Sequence, residues 1–301
     1  MKTIIFLHST TGNTRLVTRF AAAQVRALGH DCSIVDITRH PDPPPLDDVD
    51  LIGLACPTMY WRPTVVMERF VARLPTAVPG PKPAFQLATA SGDPGSHFAL
   101  AAEQLAHKDW ITLRAYFVPM VNNWPSHRAL SERIPFAAPL AEGLTAQRPH
   151  LRPSLGWLWP DVGEPVSRHR EGLVTFLEDV ILMADAMDLS AAKPPAQLWR
   201  GHRWMAAAGR LMTVDQMRQA TNVRVDASRC TRCGTCVSVC PVGCMTRETD
   251  DDVPHVGADC TGCWTCFNHC VDGAISGMGA PHGAGRYAGP SPRSRALFRR
   301  S

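Results

Sequence analysis

The chain has no apolar run that approaches the roughly 20 residues a membrane span requires. Its net charge is only +4 over 301 residues, which argues against a nucleic-acid-binding protein. The first ten residues contain a single lysine and a run of four apolar residues, whereas a secretory signal carries an apolar region of about 7–15 residues. These absences predict a cytoplasmic protein without a membrane span.

Two absent motifs limit the chemistry. No G-x-G-x-x-G connects a strand to a helix, so direct oxidation of a nicotinamide is unsupported. The C-x3-C-x2-C triplet of radical enzymes is also missing. What the chain does contain is 45% hydrophobic residues, enough for a proper core, and a length that favours two folded units.

Cysteine is concentrated in one region, because nine of the eleven cysteines lie within residues 230–270. The pattern C-x2-C-x2-C-x3-C occurs there twice, thirty residues apart. In bacterial iron–sulfur runs of this spacing, the fourth cysteine ligates the cluster of the other run. We therefore predict two [4Fe–4S] clusters with interlaced ligands. The first set is Cys230, Cys233, Cys236 and Cys270, and the second set is Cys260, Cys263, Cys266 and Cys240.

Zinc and disulfides are the competing interpretations of these cysteines. Zinc ribbons use two C-x2-C pairs without the third and fourth cysteines seen here. A disulfide framework belongs to secreted chains, for which the sequence gives no signal. The other cysteines are Cys32, Cys56 and Cys244, and we expect each to be a small core residue. A ninth ligand remains the alternative for Cys244, and contact with a cofactor the alternative for Cys56.

Residues 221–280 resemble the two-cluster ferredoxin domain, whose halves repeat around the ligands. Pro241 follows Cys240 as the family pattern requires, whereas Val271 follows Cys270 where proline is usual. Short apolar pieces precede each run, at 223–225 and 253–256, and we expect them to pair as strands over the clusters.

The amino-terminal residues predict an anion site. The apolar run 3–7 is suited to a buried parallel strand, and it leads through S-T-T-G-N-T at 9–14 into an amphipathic helix. Backbone N–H groups and the helix dipole at such a junction attract phosphate. The loop resembles the flavin mononucleotide (FMN) phosphate loop of flavodoxins, and it has no P-loop lysine. An ordinary N-cap cluster is the plain alternative.

Four more strands are predicted, at 32–37, 49–55, 83–90 and 111–118, with helices between them. Five strands alternating with helices imply an α/β fold with a doubly wound parallel sheet, whose ligands bind beyond the carboxyl ends of the strands. Loops at 57–61 and 91–96 leave those ends, as does the phosphate loop.

The flavodoxin resemblance covers about residues 1–145 and implies a role for each loop. The first would hold the phosphate, the second would cradle the flavin ring with Tyr60 or Trp61 against it, and the third would meet the ring edge. Trp124 would close the pocket from the side, although core or surface packing is the alternative for these aromatic residues. The implied FMN residues are Ser9, Thr10, Thr11, Gly12, Asn13, Thr14, Pro57, Thr58, Met59, Tyr60, Trp61, Ser91, Gly92, Asp93, Gly95 and Trp124.

The remaining segments carry weaker signals. Proline and tryptophan crowd 149–165, which suggests an extended linker, and 172–187 predicts an amphipathic helix. Residues 199–212 mix cations with tryptophans, which favours a helix packed between domains over a membrane-surface helix. For the basic tail, a solvated segment is the plain interpretation and a strip that docks an acidic redox partner is the alternative.

The chain as a whole resembles the fused flavodoxin–ferredoxin proteins, or ferrodoxins, of bacteria and archaea. The implied domains are a flavodoxin-like domain at 1–145, a helical connector at 146–220, a small α+β two-cluster ferredoxin domain at 221–280 (motif halves 221–250 and 251–280) and a basic tail at 281–301. The resemblance implies an electron carrier that relays low-potential electrons between FMN, two clusters and redox partner proteins such as a dehydrogenase, hydrogenase or reductase. A flavin-dependent reductase and a redox sensor with an empty flavin domain are the alternatives. His8 and His97 border the flavin pocket, and we expect structural roles for both.

Overall fold

The computed structural model describes residues 1–128, 164–190, 192–199, 201–282 and 285–299. The described residues of Met1–Met120, Pro165–Arg210 and Pro290–Ser301 form one compact unit. Those of Val121–Glu164 and Leu211–Gly289 form the other. Within the described residues, no helix has both the length and the apolar character that a membrane span requires.

The first unit is built on a five-stranded parallel sheet in the order β2-β1-β3-β4-β5. This is the flavodoxin-like order 2-1-3-4-5, so the predicted α/β fold class is confirmed. Each predicted strand is found within two residues of its expected ends. The strands are β1 (Lys2–Leu7), β2 (Asp31–Asp36), β3 (Leu51–Pro57), β4 (Lys82–Ala90) and β5 (Trp110–Pro119).

Helices cover both faces of this sheet. They are α1 (Asn13–Ala27), α2 (Val65–Arg73), α3 (His97–Ala106) and α4 (Ser167–Asp185). Successive side chains of a strand point to opposite faces, so a strand buried on both faces needs a continuous apolar run. In β1, Ile5 joins a core with α1 and α4, and Phe6 joins a core with α2 and α3. The sheet is therefore the middle of three layers.

Two segments outside the predicted flavodoxin-like range pack in the first unit. Helix α4 lies in the expected connector, and its residues Leu173 and Leu177 are fully buried in the core with α1. The tail forms a short helix, α9 (Pro292–Leu297), after which the ring of Phe298 meets Phe20 at a centroid distance of 5.5 Å. Because Phe298 is only 3% exposed, a purely solvated tail is wrong. The expected linker at 149–165 falls almost entirely outside the described residues, as does the end of the predicted first domain.

The second unit consists of short elements around the cysteine runs. Strand β6 (Arg224–Val225) pairs antiparallel with β9 (Ile275–Ser276), and β7 (Met245–Thr246) pairs with β8 (His255–Val256). The predicted pairing between the strands that precede the two runs is therefore wrong. Each of them pairs instead with the strand that follows the other run, because the two halves interlace. Helix α5 (Arg203–Leu211) belongs to the first unit except for its last residue. Helices of the second unit include α6 (Val214–Thr221), α7 (Thr235–Ser238) and α8 (Thr265–His269).

Candidate iron–sulfur and flavin sites

A cavity lies beside the first cysteine run. Its lining includes three cysteines of that run together with Cys270, the last cysteine of the second run. Strand β9 follows Cys270 and pairs with β6, which precedes the first run, so the sheet brings Cys270 to this cavity. The cysteines in the lining are Cys230, Cys233, Cys236 and Cys270.

A second cavity lies beside the second run. Three cysteines of that run and the last cysteine of the first run line it, and Cys244 is a fifth. The pairing of β7 with β8 connects the end of the first run to the start of the second. The structure therefore brings together both of the interlaced sets expected from the sequence. The cysteines in this lining are Cys240, Cys244, Cys260, Cys263 and Cys266.

The two cysteine runs have the same backbone conformation around their cavities. In the first run, Arg232 and Gly234 have φ values of 59° and 72°, and the equivalent Gly262 and Trp264 have 61° and 59°. The last residue of each pair is the N-cap of the short helix that follows, α7 or α8. Non-glycine residues with positive φ are uncommon, so Arg232 and Trp264 show that the loop shape is imposed by its surroundings.

The two loops differ sharply in exposure. In the first run, residues 231–233 are exposed, including the Cys233 side chain. In the second run, Cys260 and Thr261 are buried, and Trp264 is 1% exposed. The Trp264 ring contacts Phe267 and Trp124, whose centroid lies 6.3 Å away. The first cavity is therefore the one whose cysteine loop faces solvent.

Cys244 is only partly buried, whereas a small core residue was expected. Its Sγ lies 3.6 Å from Cys240 Sγ in the second cavity. The contact between the two sulfurs lowers the pKa of Cys240 and raises that of Cys244. Cys32 and Cys56 are buried core residues, as predicted.

The predicted phosphate loop opens α1. Gly12 is the N-cap residue with φ 96°, a left-handed conformation that a glycine adopts without strain. No side chain caps the helix, and its first turn has no acidic residue, so nothing there repels an anion. Thr14 is buried and bonds Thr89 of β4 through their hydroxyls at 2.8 Å, and Ser9 Oγ accepts the N–H of Arg15. These residues fit a phosphate group at the helix amino terminus.

The predicted ring loop is a tight turn after β3. Met59 and Arg62 exchange two backbone hydrogen bonds of 3.0 and 3.1 Å. Between them, Tyr60 and Trp61 have φ values of 52° and 60°. Two successive positive φ values are the mark of a type I′ turn, which normally contains asparagine, aspartate or glycine. Bulky side chains in this conformation carry strain, which proteins retain chiefly at functional sites.

The third loop is bonded directly to the second. The Trp61 carbonyl accepts hydrogen bonds from the N–H and the hydroxyl of Ser96, at 2.8 and 2.9 Å. At Gly95 (φ 61°), an added Cβ would lie 2.5 Å from the Trp61 Cβ. The glycine is therefore required by the close approach of the two loops, as well as by its backbone conformation.

A segment that the sequence did not assign to this site packs on both loops. The Asp93 carboxylate in the third loop is 6% exposed and accepts hydrogen bonds from Trp199 Nε1 and from the N–H of His202. In α5, the Trp204 ring meets Trp61 at a centroid distance of 5.5 Å. An added Cβ at Gly209 would lie 2.4 Å from the Trp61 carbonyl oxygen. The only sequence signal was the mixture of tryptophans and cations at 199–212.

Two buried histidines lie at the strand ends. His97 Nδ1 is 3.0 Å from Thr58 Oγ1, and its Nε2 is 3.6 Å from Cys56 Sγ. Burial lowers the pKa of His97 to about 3 and raises that of Cys56 to about 12, so both are neutral at pH 7. His8 Nδ1 is 2.8 Å from Thr64 Oγ1, and burial lowers its pKa to about 4. These bonds hold both rings in place, and the structural roles expected for them stay a prediction.

Replacing Thr64 by valine is expected to destabilise the protein more than the same change at Thr213. Both hydroxyls cap a helix, but Thr213 is exposed and Thr64 is buried and also bonds His8. Loss of a cap costs about 1 kcal/mol, and a buried polar group left without a partner costs roughly 1–3 kcal/mol more. Denaturation in urea should show that the free energy of unfolding falls by about 1 kcal/mol in T213V and by about 2 kcal/mol or more in T64V. Equal losses would mean that the bond to His8 contributes nothing.

Trp124 lies in the second unit. Its ring contacts Trp264 and, at 6.2 Å, His127, and it belongs to the apolar cluster that contains the cysteines. Its assignment to the flavin pocket stays a prediction.

Comparison with known proteins places a family on the cysteine region. The 4Fe-4S binding domain family matches residues 223–246, which contain the first run. The comparison with curated proteins gives no match.

Several solved structures resemble the amino-terminal part. A two-electron reduced flavodoxin from Megasphaera elsdenii is 22% identical, with 39% of this chain and 85% of that chain covered at a TM-score of 0.33. A flavodoxin from the domain Archaea is 20% identical, with 37% and 78% covered at 0.30. An NAD(P)H:quinone oxidoreductase from Methanothermobacter marburgensis is 13% identical, with 38% and 81% covered at 0.31.

The chain thus joins a flavodoxin-like sheet to a 4Fe-4S binding domain. The strand order carries the first assignment and the family match the second. Together they support a redox role that involves electron transfer.

Proposed function

We propose that the protein is an electron carrier that relays low-potential electrons between FMN, two [4Fe–4S] clusters and external redox proteins. The observation that carries the proposal is the pair of cavities, each lined by three cysteines of one run and the fourth cysteine of the other. The ligands of the first cluster would be Cys230, Cys233, Cys236 and Cys270. Those of the second cluster would be Cys260, Cys263, Cys266 and Cys240.

The spacing of the cysteines supports clusters over single metal ions. Within the described ranges, no three His, Cys, Asp or Glu side chains lie close enough together to hold one metal ion. A tetrahedral zinc site would need four sulfurs about 2.3 Å from one atom. A cubane is larger, so its ligands surround a cavity instead of converging on a point.

The three loops at the strand ends support FMN. The bound flavin would supply one- and two-electron exchange, and the clusters one electron each. The amino terminus of α1 would hold the phosphate, with Ser9, Thr11 and Thr14 near it. The strained turn at Tyr60 and Trp61 would hold the ring. The hydrogen bonds of Asp93 and Ser96 fix the third loop in advance, which lowers the entropic cost of binding.

Several observations favour a carrier over a reductase that acts on its own. An enzyme would need an acid–base group near the flavin, but both histidines there are buried, neutral and hydrogen-bonded. The exposed loop 231–233 would give partner proteins access to the first cluster. The partners would be a dehydrogenase, hydrogenase or reductase of the cytoplasm. We keep 1–145, 146–220, 221–280 and 281–301 as the proposed domain boundaries.

Cofactor content tests the proposal. Protein purified without oxygen should contain about eight irons per chain, the number in two four-iron cubanes. Acid extraction should release about one FMN, identified by its mass. Zinc in place of iron would overturn the cluster assignment, and iron without flavin would favour a regulatory protein. Turnover of a small organic acceptor without a partner protein would favour the reductase.

A further inference from the structure

The internal repeat allows Cys244 to be compared with an equivalent residue in the other half. Cys244 lies four residues after Cys240, and Ala274 lies four residues after Cys270. The turn from Cys240 to Cys244 has the same backbone conformation as the turn from Cys270 to Ala274. Gly243 and Gly273 have φ values of 66° and 69°, and each donates its N–H to the carbonyl of the preceding cysteine, at 3.3 and 3.4 Å.

The carbonyl groups of Cys244 and Ala274 also accept equivalent hydrogen bonds. The Cys244 carbonyl accepts the N–H of Gly257 at 2.7 Å, and the Ala274 carbonyl accepts the N–H of Asp226 at 2.8 Å. Because the backbones correspond, the two cavities differ at this position by one side chain. The second cavity has a thiol where the first has a methyl group.

The Cys244 thiol is positioned to donate a hydrogen bond within the second cavity. Its Sγ is 3.6 Å from Cys240 Sγ, and both residues line that cavity. Cys240 belongs to the proposed ligand set of the second cluster, where it would be a thiolate that can only accept, so Cys244 would be the donor of this pair. That set already has four thiolates, so a fifth would add negative charge, whereas a neutral thiol donates to the thiolates without adding any.

We propose that Cys244 tunes the second cluster by donating its S–H to the ligand sulfur of Cys240, which makes that cluster easier to reduce. Hydrogen bonds to cluster sulfurs are one of the determinants of iron–sulfur potentials. They stabilise the more negative, reduced state because they withdraw electron density from the thiolates. The inference rests on the proposed two-cluster function. It implies that one side chain gives the two clusters different reduction potentials.

The test measures the reduction potentials of both clusters by EPR-monitored titration of the full chain. In C244A, the potential of one cluster should fall, by up to about tenfold in its reduction equilibrium constant or 59 mV for one electron. C244S retains a hydroxyl donor and should lie closer to the wild type. The matched variant A274C adds a thiol to the first cavity and should raise the potential of the other cluster.

Iron content separates the possible outcomes. If C244A retains eight irons and both potentials are unchanged, the tuning role is wrong although the two-cluster function stands. If C244A loses about four irons, Cys244 is a ligand and the tuning role is again wrong. If the wild-type protein lacks two clusters, the proposed function itself fails and the inference fails with it.

Discussion

Replacing Cys270 by alanine is expected to remove the cluster of the first cavity, although Cys270 belongs to the second run. Cys270 lines the cavity of Cys230, Cys233 and Cys236 because β9, which follows it, pairs with β6. A cubane that loses one of four thiolates is not retained at full occupancy, so iron content should fall from about eight to about four per chain.

Double variants establish which cysteines share a cluster. If Cys270 and Cys233 serve the same cluster, C270A/C233A should lose no more iron than C270A alone. If Cys270 and Cys263 serve different clusters, C270A/C263A should lose nearly all of it. Residues that act as a unit are non-additive in this way. Pairing within each run would reverse the two results and contradict the interlaced assignment.

One control uses a cysteine outside the two sets, and a second uses the last cysteine of the first run. C32A changes a residue buried in the sheet core, where no cluster is proposed, and should retain all eight irons. C240A is the symmetric counterpart of C270A and should remove the cluster of the second cavity. Iron analysis and the EPR spectrum of the dithionite-reduced protein measure both.

The sheet could be predicted because its signal is local. Strands such as β1 and β3 are buried on both faces and therefore read as continuous apolar runs between turn residues. The pairing of the short strands in the second unit could not be predicted in the same way. β6 and β8 have two residues each, and their partners are set by the interlacing of the cysteine loops.

The candidate sites likewise combine features that a local sequence pattern predicts with contacts that only the fold creates. The cluster cysteines and the phosphate loop were predictable, since ligand spacing and a strand–loop–helix junction are local patterns. The contacts of Asp93 with Trp199 and His202 join residues more than 100 positions apart, and no local pattern reports them. The thiol contact of Cys244 depends on the fold of the second unit, so its sequence position suggested a core residue, with a ninth ligand as the alternative.

Replacing Gly12 by alanine is expected to weaken FMN binding by roughly tenfold to hundredfold. Gly12 holds φ 96° at the start of α1, and an added Cβ would lie 3.3 Å from Pro290 Cδ. A non-glycine residue in the left-handed region costs about 1–2 kcal/mol, and the loop relieves this strain by rotating the first amides of α1. A hydrogen bond to a charged group contributes about 1.5–3 kcal/mol, so the loss of one accounts for the expected effect.

Gly29 provides the matched control at the other end of α1. It has φ 87°, and an added Cβ would meet nothing within 4 Å. G29A should therefore carry the same kind of backbone strain, and a similar loss of stability in urea, without affecting FMN. Titration of flavin fluorescence on the flavin-depleted protein measures both affinities. Equal weakening by G12A and G29A would place the effect in the stability of the helix, and the phosphate site would have to be sought at another loop.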